Sequence, residues 1–448
     1  MERMRKKMIS TPSTGVDDCG KVVVNIDDEN IISNILSRLP VKTLMQFKCV
    51  AKSWCNLIED PYFIDLYRTK TSRQRLFVVV PRQRNFRQDF SFLIADVLYD
   101  GRGKKRMGKV ASTINDITNK GPFPCSQVLG PVEGLICLIS DSVHAACVFN
   151  ISTREVTRWI KSTLLSTEEG TRRPRRNKSN STSAYSFGYD PICKKHKVIC
   201  KWVINKDDTA AYQLWEILTL GRHSAWRRMD QVPNCQFDTN APSVYVNGFI
   251  YWYPLNFSRD LNVRFLLALC IGSEKFRRIR IPDSDQLNPY LSFNNECLIC
   301  LVEVKSCVAI LCRTSSYTIR LSIYEDDKWT RRGVILPVSW DERGAFFFHT
   351  AAGTDQLFLE IHHKNALGIL FAISLYSYCF ENKNFKQIGL NEIPLSASVP
   401  KSTRQLKNIP FSAASIPKYT RLCTSFYESI ISFKESDKKY LIQPSTRS

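Results

Sequence analysis

Residues 30–63 read NIISNILSRLPVKTLMQFKCVAKSWCNLIEDPYF, and the periodicity of this stretch sets it apart from everything that follows. Asp27 or Asp28 is placed to cap a helix, and Glu29 adds favourable charge to its first turn. Ile31, Ile35 and Leu39 recur every four residues with Ile32 and Leu36 beside them, a broad apolar stripe of helical period. Pro40 ends that helix and can stand at the start of the next, where an N–H would be unpaired anyway. Leu44, Phe47, Val50, Ala51 and Trp54 mark a second helical face. Leu57 and Ile58 extend it until Pro61, after which Tyr62, Phe63 and Leu66 predict one more short turn. A three-helix unit of about fifty residues buries little core, so apolar surface is expected to be left for a partner.

Beyond residue 73 the period changes from helix to strand. Short apolar runs, among them LFVVV, GLICLIS, KVICKWVI, SVYVNGFIYW, ECLICLVEV, TIRLSIY, QLFLEI and GILFAISLYSY, alternate with turns rich in Gly, Asn, Asp and Ser. A weak repeat underlies them: a polar turn leads to an aromatic residue that opens a basic or polar strand. It ends at Trp159, Trp226, Phe276, Trp329 and Phe385, with spacings of 67, 50, 53 and 56 residues. A period near 50 with about four strands per unit is the signature of propeller blades. The fold class expected is α+β and multidomain, a small three-helix unit followed by a large all-β domain, an irregular propeller of six to eight blades. A pair of β-sandwiches is the competing architecture.

Composition narrows the functional classes. The 448 residues are too many for one ordinary domain, and 44% hydrophobic with 23% charged residues is a globular balance. Lys and Arg number 63 against 42 Asp and Glu, a formal charge of +21, which suits an acidic or phosphorylated partner or nucleic acid. The opening MERMRKKMIS has no apolar stretch behind it, and FLLALCI at 265–271 is too short to cross a bilayer, so no membrane role is expected. Sixteen scattered cysteines without an export signal favour reduced thiols, in the nucleus or cytoplasm. Cys297 and Cys300 lie in an apolar run and read as strand cysteines, with no metal site or cofactor expected. Two basic segments, 103–109 (GKKRMGK) and 172–178 (RRPRRNK), read as surface loops. Arg172, Arg173, Arg175 and Arg176 in the second are candidates for gripping phosphate or acidic groups, with a solvated loop or an import signal as the alternatives.

The helical stretch resembles the F-box, in the form common in plant F-box proteins. The likeness rests on Leu39-Pro40 after Arg38, then Leu44, Phe47, Cys49-Val50, Lys52 and Trp54, closed by Pro61-Tyr62-Phe63. It departs at its start, where Ile26-Asp27-Asp28 lacks the proline of the family's opening step, so the first turn is expected to be less rigid. The remainder resembles the F-box-associated domain of type 1 or type 3. Its markers in order are GLICL (134–138), FNISTRE (149–155), FGYDPICKKHKVI (187–199), LTLGRHSAWRRM (218–229), VNGFIYW (246–252), SEKFRRIRIP (273–282) and YESIISF (427–433). That domain is a propeller relative. The organisation implied is a disordered tail over 1–20, the F-box over 21–71, the β domain over 73–435 and a C-terminal tail over 436–448.

Together these resemblances imply a substrate-recruiting subunit of an SCF (Skp–cullin–F-box) ubiquitin ligase, whose F-box docks on a Skp-type adaptor and through it a cullin. The adaptor contacts implied are Ile31, Ile35, Leu36, Leu39, Pro40, Leu44, Val50 and Trp54, although some of these can instead be internal contacts of the helical unit. No catalytic residue is expected, since transfer chemistry belongs to other subunits. No Gly-x-Ser-x-Gly elbow or HExxH helix occurs, and His362-His363 falls in an apparent strand. Residues 1–70 carry 11 Lys/Arg against 9 Asp/Glu, so +19 of the +21 belongs to the β domain. An acidic or phosphorylated protein target is therefore expected, with a diffusely basic surface that affects only solubility as the alternative. A nucleic-acid-binding or scaffold protein acting outside any ligase is the alternative, disfavoured because the aromatics follow strand patterns rather than interleaving with basic residues.

Overall fold

The structure is a computed structural model. It describes residues 14–16, 22–24, 29–70, 75–84, 87–99, 105–114, 122–162, 181–206, 209–221, 224–233, 243–253, 265–282, 299–339, 344–350, 356–364, 370–380, 382–388, 423–426 and 438–441. Contacts divide the chain into two compact units, residues 1–72 with 428–432, and residues 73–427 with 433–448. Among the described residues no helix is long and apolar enough to cross a membrane.

In the first unit a short antiparallel pair, β1 (Thr14–Val16) and β2 (Val22–Val24), precedes four helices: α1 (Glu29–Leu36), α2 (Val41–Phe47), α3 (Lys52–Glu59) and α4 (Pro61–Lys70). The three-helix expectation is thereby corrected, and β1 lies within the 1–20 segment expected to be a disordered tail. The single turn expected after Pro61 is a ten-residue helix, because the residue that breaks α3 also starts α4. Pro61 has no N–H to leave unpaired, and the Asp60 carboxylate accepts the next one, from Tyr62, at 2.8 Å. Leu36, Val41, Leu44, Ile58, Phe63 and Tyr67 form the core, one or two residues from each helix. Lys70 Nζ donates to Asn34 Oδ1 at 2.5 Å, tying α4 to α1, and Lys48 pairs with Glu59 at 2.6 Å.

The second unit is all β. It begins with β3 (Arg75–Arg84), β4 (Arg87–Tyr99) and β5 (Lys105–Ile114). There follow β6 (Gln127–Val132), β7 (Leu135–Ser140), β8 (Ala145–Asn150), β9 (Glu155–Thr157) and β10 (Ile160–Lys161). Three four-stranded sheets come next in chain order: β11 (Ser181–Asp190), β12 (Lys195–Lys206), β13 (Thr209–Thr219) and β14 (Trp226–Arg228); then β15 (Ser243–Val246), β16 (Phe249–Trp252), β17 (Phe265–Cys270) and β18 (Phe276–Arg280); then β19 (Ile299–Val304), β20 (Cys307–Arg313), β21 (Thr318–Glu325) and β22 (Lys328–Ile335). A fourth comprises β23 (Gly344–Thr350), β24 (Gln356–Lys364), β25 (Leu370–Cys379) and β26 (Asn384–Ile388). Finally β27 (Cys423–Phe426) pairs with β3 in the order β27-β3-β4-β5, and β28 (Lys438–Leu441) pairs with β9. The leading strands β6, β11, β15, β19, β23 and β27 touch in that order, and β27 touches β6, which closes the ring.

Against the expected irregular propeller of six to eight blades, the four-stranded blades among the described residues number five. The sheet of β6–β10 and β28 has six strands and departs from the repeat, because it takes in a short extra strand and a C-terminal one. β28 also lies inside the segment read as a tail, and β5 covers most of the 103–109 segment read as a basic loop. Arg106 there pairs with Leu98 and Met107 with Val97, so these bases lie on an edge strand. Closure by β27 falls just before 427–433, the expected closing strand, which lies outside the described residues, as does Cys297. Cys300 is a half-buried thiol in β19, and His362 and His363 are in β24.

The core lies between neighbouring sheets rather than at one centre. Val198, Cys200 and Trp202 pack with Cys137, Ile139 and Val148, whereas Ile199, Trp215 and Ile217 on the other face pack with Ile250, Trp252 and Leu267. A sheet covered on both faces needs continuous apolar strands, which is why β7 and β8 are buried at every residue. Among the described residues four hairpins have two-residue turns, at 133–134, 247–248, 305–306 and 326–327, and all eight turn residues have positive φ. This is the turn whose twist matches that of the strands. Gly188 in β11 serves a different need: a Cβ there would lie 3.1 Å from Ile271 and Tyr245 and 3.2 Å from Ile250, all in the next sheet.

A buried ionic brace joins the same two sheets. Asp190, fully buried, accepts the backbone N–H groups of Ile192 and Cys193 at 3.0 and 3.1 Å. Lys197 Nζ lies 3.3 Å from its other oxygen and donates to the Ile271 carbonyl at 2.7 Å and to Glu274 at 3.0 Å, and Glu274 also pairs with Arg227. Burial works to raise the Asp190 carboxyl, but the two N–H groups and Lys197 outweigh it and hold the group below its ordinary value.

Candidate protein-docking site

The helical unit presents an apolar surface that its own core does not use. Along α1, Ile32 and Leu36 turn to the core while Ile31 and Ile35 are 44% and 51% exposed, so the broad stripe seen in sequence is divided between inside and outside. Val50, in the bend between α2 and α3, is 68% exposed, and Tyr62 at the start of α4 is 71% exposed. Among the described residues, half of the exposed large hydrophobic ones therefore sit on this small unit, the reverse of what a self-sufficient domain needs.

The candidate contact residues divide accordingly. Ile31, Ile35, Val50 and Pro40 are exposed; Leu39 and Trp54 are half-buried, Leu39 against the core and Trp54 edge-on to Phe47 at 5.0 Å between ring centres. Leu36 and Leu44, at 3% and 0% exposed, are corrected to core residues. The reason is geometric. In four short helices one residue per turn must face the common centre, and Leu36 and Leu44 are the ones that meet Val41, Ile58 and Phe63. Tyr62 was missed as a candidate; its signal was an aromatic pair after a helix-starting proline, where neighbours along a helix cannot both face the core. Pro40 is the N-cap of α2, with extended backbone (φ −61°, ψ 149°), and leaves the Leu39-Pro40 step at the junction of two helices.

In the β unit the exposed charge gathers on the fourth strands. Arg227 and Arg228 lie in β14, Arg277, Arg278 and Arg280 in β18, Lys328, Arg331 and Arg332 in β22, and Lys386 in β26. Each of these strands also carries the repeated aromatic residue near its start: Trp226, Phe276, Trp329 and Phe385. Trp226 is buried and the other three are half-buried against the cores between sheets. The aromatic repeat is thus a packing device and the basic residues behind it form the surface. Arg172, Arg173, Arg175 and Arg176 lie outside the described residues.

Comparison with known proteins agrees with this division. Residues 28–66 match the F-box domain, and residues 70–410 match the F-box associated beta propeller domain. Three relatives from Arabidopsis thaliana carry F-box names. The F-box protein At4g19940 is 27% identical over 56% of this chain and 59% of its own. At1g47765 is 26% identical over 81% of this chain and 84% of its own, and At3g10240 is 26% identical over 61% of this chain. The chain spans 64% of the length of At3g10240. With a family match over three quarters of its length and an F-box before it, the chain belongs to the F-box proteins that carry an F-box associated beta propeller domain.

Proposed function

We propose that this protein is the substrate-recognition subunit of an SCF ubiquitin ligase: the helical unit docks on a Skp-type adaptor and through it a cullin, and the β unit holds the protein to be ubiquitinated. The observation that carries the reading is an F-box that keeps Ile31, Ile35, Val50 and Tyr62 exposed after its core is complete. The mechanism is proximity. Binding both partners on one chain raises the local concentration of substrate lysines near the ubiquitin carrier, with no catalytic group required of this chain. The target is an acidic or phosphorylated protein, because +19 of the formal charge lies in the β unit and its bases line the outer strands. The nucleic-acid alternative is less well supported, since Trp202, Trp215, Trp226 and Trp252 are buried and offer no stacking platform.

Co-purification tests the proposal. The full chain is expected to carry a Skp-type adaptor through affinity purification, and Leu39→Ala with Pro40→Ala to lose it while the β unit stays folded. Undiminished adaptor binding by that variant would sink the assignment.

A further inference from the structure

We infer that the outer edge of β22 accepts an acidic, extended segment of a partner protein as an added strand. This deepens the acidic-target reading above and rests on it. β22 is the last strand of its sheet, and no strand pairs with its other side among the described residues. It is also long for an edge. β14 has three residues, β18 and β26 have five each, and β22 has eight, exceeded among these outer strands by the ten residues of β5. Edge strands are ordinarily kept short, because their unpaired N–H and C=O groups are a template for another chain. An eight-residue edge is an opening of about 27 Å for strand addition.

The side chains along it define the partner. Lys328, Thr330, Arg331 and Arg332 are all exposed, and at Gly333 a Cβ would meet nothing within 4 Å. Beyond them the edge turns apolar. Ile335 is 71% exposed and Tyr317 54%, and the two are neighbours, since Thr318 pairs with Ile335 and the Leu336 N–H donates to the Tyr317 carbonyl at 2.8 Å. At the other end Asp326 and Asp327 form the hairpin turn into β22, after Glu325 at the end of β21, and there the Tyr324 hydroxyl donates to Asp327 at 2.6 Å. The edge therefore reads, in chain order, locked turn, positive stretch, open glycine, apolar pair. Arg332 is held in place over the Phe380 ring, 5.7 Å from its centre, so its charge is positioned before a partner arrives.

The chain supplies its own precedent. In the six-stranded sheet β28 adds antiparallel to the outer strand β9, with Tyr440 opposite Val156 and Leu441 opposite Glu155. An outer edge of this propeller thus takes an extended segment as a further strand. The fit for β22 is a segment that alternates carboxylates with apolar residues, its main chain completing the ladder and its carboxylates, all on one face, meeting Arg332 on the face it shares with Lys328 and Thr330, while Arg331 on the other face adds to the field.

The test uses the full chain and a fluorescein-labelled octapeptide of alternating Glu and Val, read by fluorescence polarisation. The peptide is expected to bind. N-methylation of either all Val or all Glu amides should abolish binding in one of the two frames, the one whose N–H groups face β22, and leave the other bound. Arg331→Glu with Arg332→Glu should weaken binding about tenfold or more, the milder Arg331→Gln with Arg332→Gln should weaken it in the same direction, and Lys386→Glu in β26 should leave it unchanged. No binding by the unmodified peptide overturns the inference. So does binding that ignores N-methylation in both frames, which means adsorption by charge alone, with the edge bases serving only to keep other strands away. Binding that survives both paired arginine changes overturns the β22 site while leaving the acidic-target reading intact. Adaptor co-purification is unaffected in every case, so failure here is distinguishable from failure of the ligase assignment.

Discussion

The indole N–H of Trp329 donates to the backbone carbonyl of Arg280 at 2.9 Å, reaching from the fourth strand of one sheet to the fourth strand of the sheet before it. Trp226 does the same to Ile160 at 3.0 Å, from β14 back to β10. The aromatic repeat that marks the period in sequence thus has a mechanical meaning. At two of its positions it pins the outer edge of one sheet to its predecessor. Trp226→Phe keeps the ring and removes the donor, and should cost about 1 kcal/mol in urea unfolding of the β unit. Trp226→Ala should cost about 3–5 kcal/mol. Equal losses from the two substitutions would show that the hydrogen bond carries the whole effect.

Lys197 neutralises two buried or half-buried carboxylates, Asp190 and Glu274, from sheets that are neighbours in space. Lys197→Met should destabilise the β unit by about 3–5 kcal/mol, because it leaves the Asp190 carboxylate buried without its cation. Adding Asp190→Asn should recover part of the loss, a coupling that a double-mutant cycle measures. Strictly additive losses would mean the brace is not a unit.

The same carboxyl sets an acid limit. Its folded-state pKa is depressed, so the unfolded chain takes up this proton first as pH falls. The stabilisation is complete above the unfolded value of about 3.9 and is lost as pH drops through the lower folded value. Stability measured from pH 6 to pH 2 should therefore decline less steeply in Asp190→Asn than in the native chain. An unchanged slope at the acid end would remove Asp190 from the account.

Gly188 and the helical core make a paired prediction about which changes a fold forgives. Gly188→Val forces side-chain atoms into the space of Tyr245, Ile250 and Ile271 and should cost about 1–3 kcal/mol. In the small unit, Leu44→Ala should cost about 2–5 kcal/mol and lose helical signal along with adaptor binding. Ile31→Glu with Ile35→Glu should lose adaptor binding alone, since both side chains are exposed. Circular dichroism of each variant beside the pulldown separates the two; loss of helix in the isoleucine pair would place those residues in the core.

Thiol chemistry reports on the strands directly. Cys137, Cys147 and Cys200 are buried, and burial pushes each thiol well above its ordinary value, with neighbouring thiols or Glu216 adding to the effect. Cys49 and Cys193 are exposed. At pH 8 without denaturant, iodoacetamide should label the second group and spare the first. Prompt labelling of Cys200 would contradict the packing of β12 against its neighbours.

Much of this molecule follows from short-range pattern alone. The change from helical to strand period near residue 73, the Pro40 and Pro61 boundaries and the aromatic residues that open the fourth strands were all legible, because each depends on residues within one turn or one strand of each other, whereas SVYVNGFIYW, read as one run, is two strands joined at Asn247-Gly248. The family resemblance rested on the same local motifs. What the sequence could not decide is which side of a pattern faces inward and which distant segments meet. Ile31 and Leu36 look alike in a list of apolar positions, yet one is surface and the other core, since that choice belongs to the other three helices. Lys197 and Glu274 are charged residues in separate motifs until folding stacks β12 beside the turn after β17. Closure of the ring by β27 on β3, and the extension of β9 by β28, join segments near opposite ends of the β unit. Local propensity costs little to read because neighbours in the chain are already close. Pairings across hundreds of residues exist only once the chain has given up the entropy of bringing them together, and tertiary structure alone records where that happened.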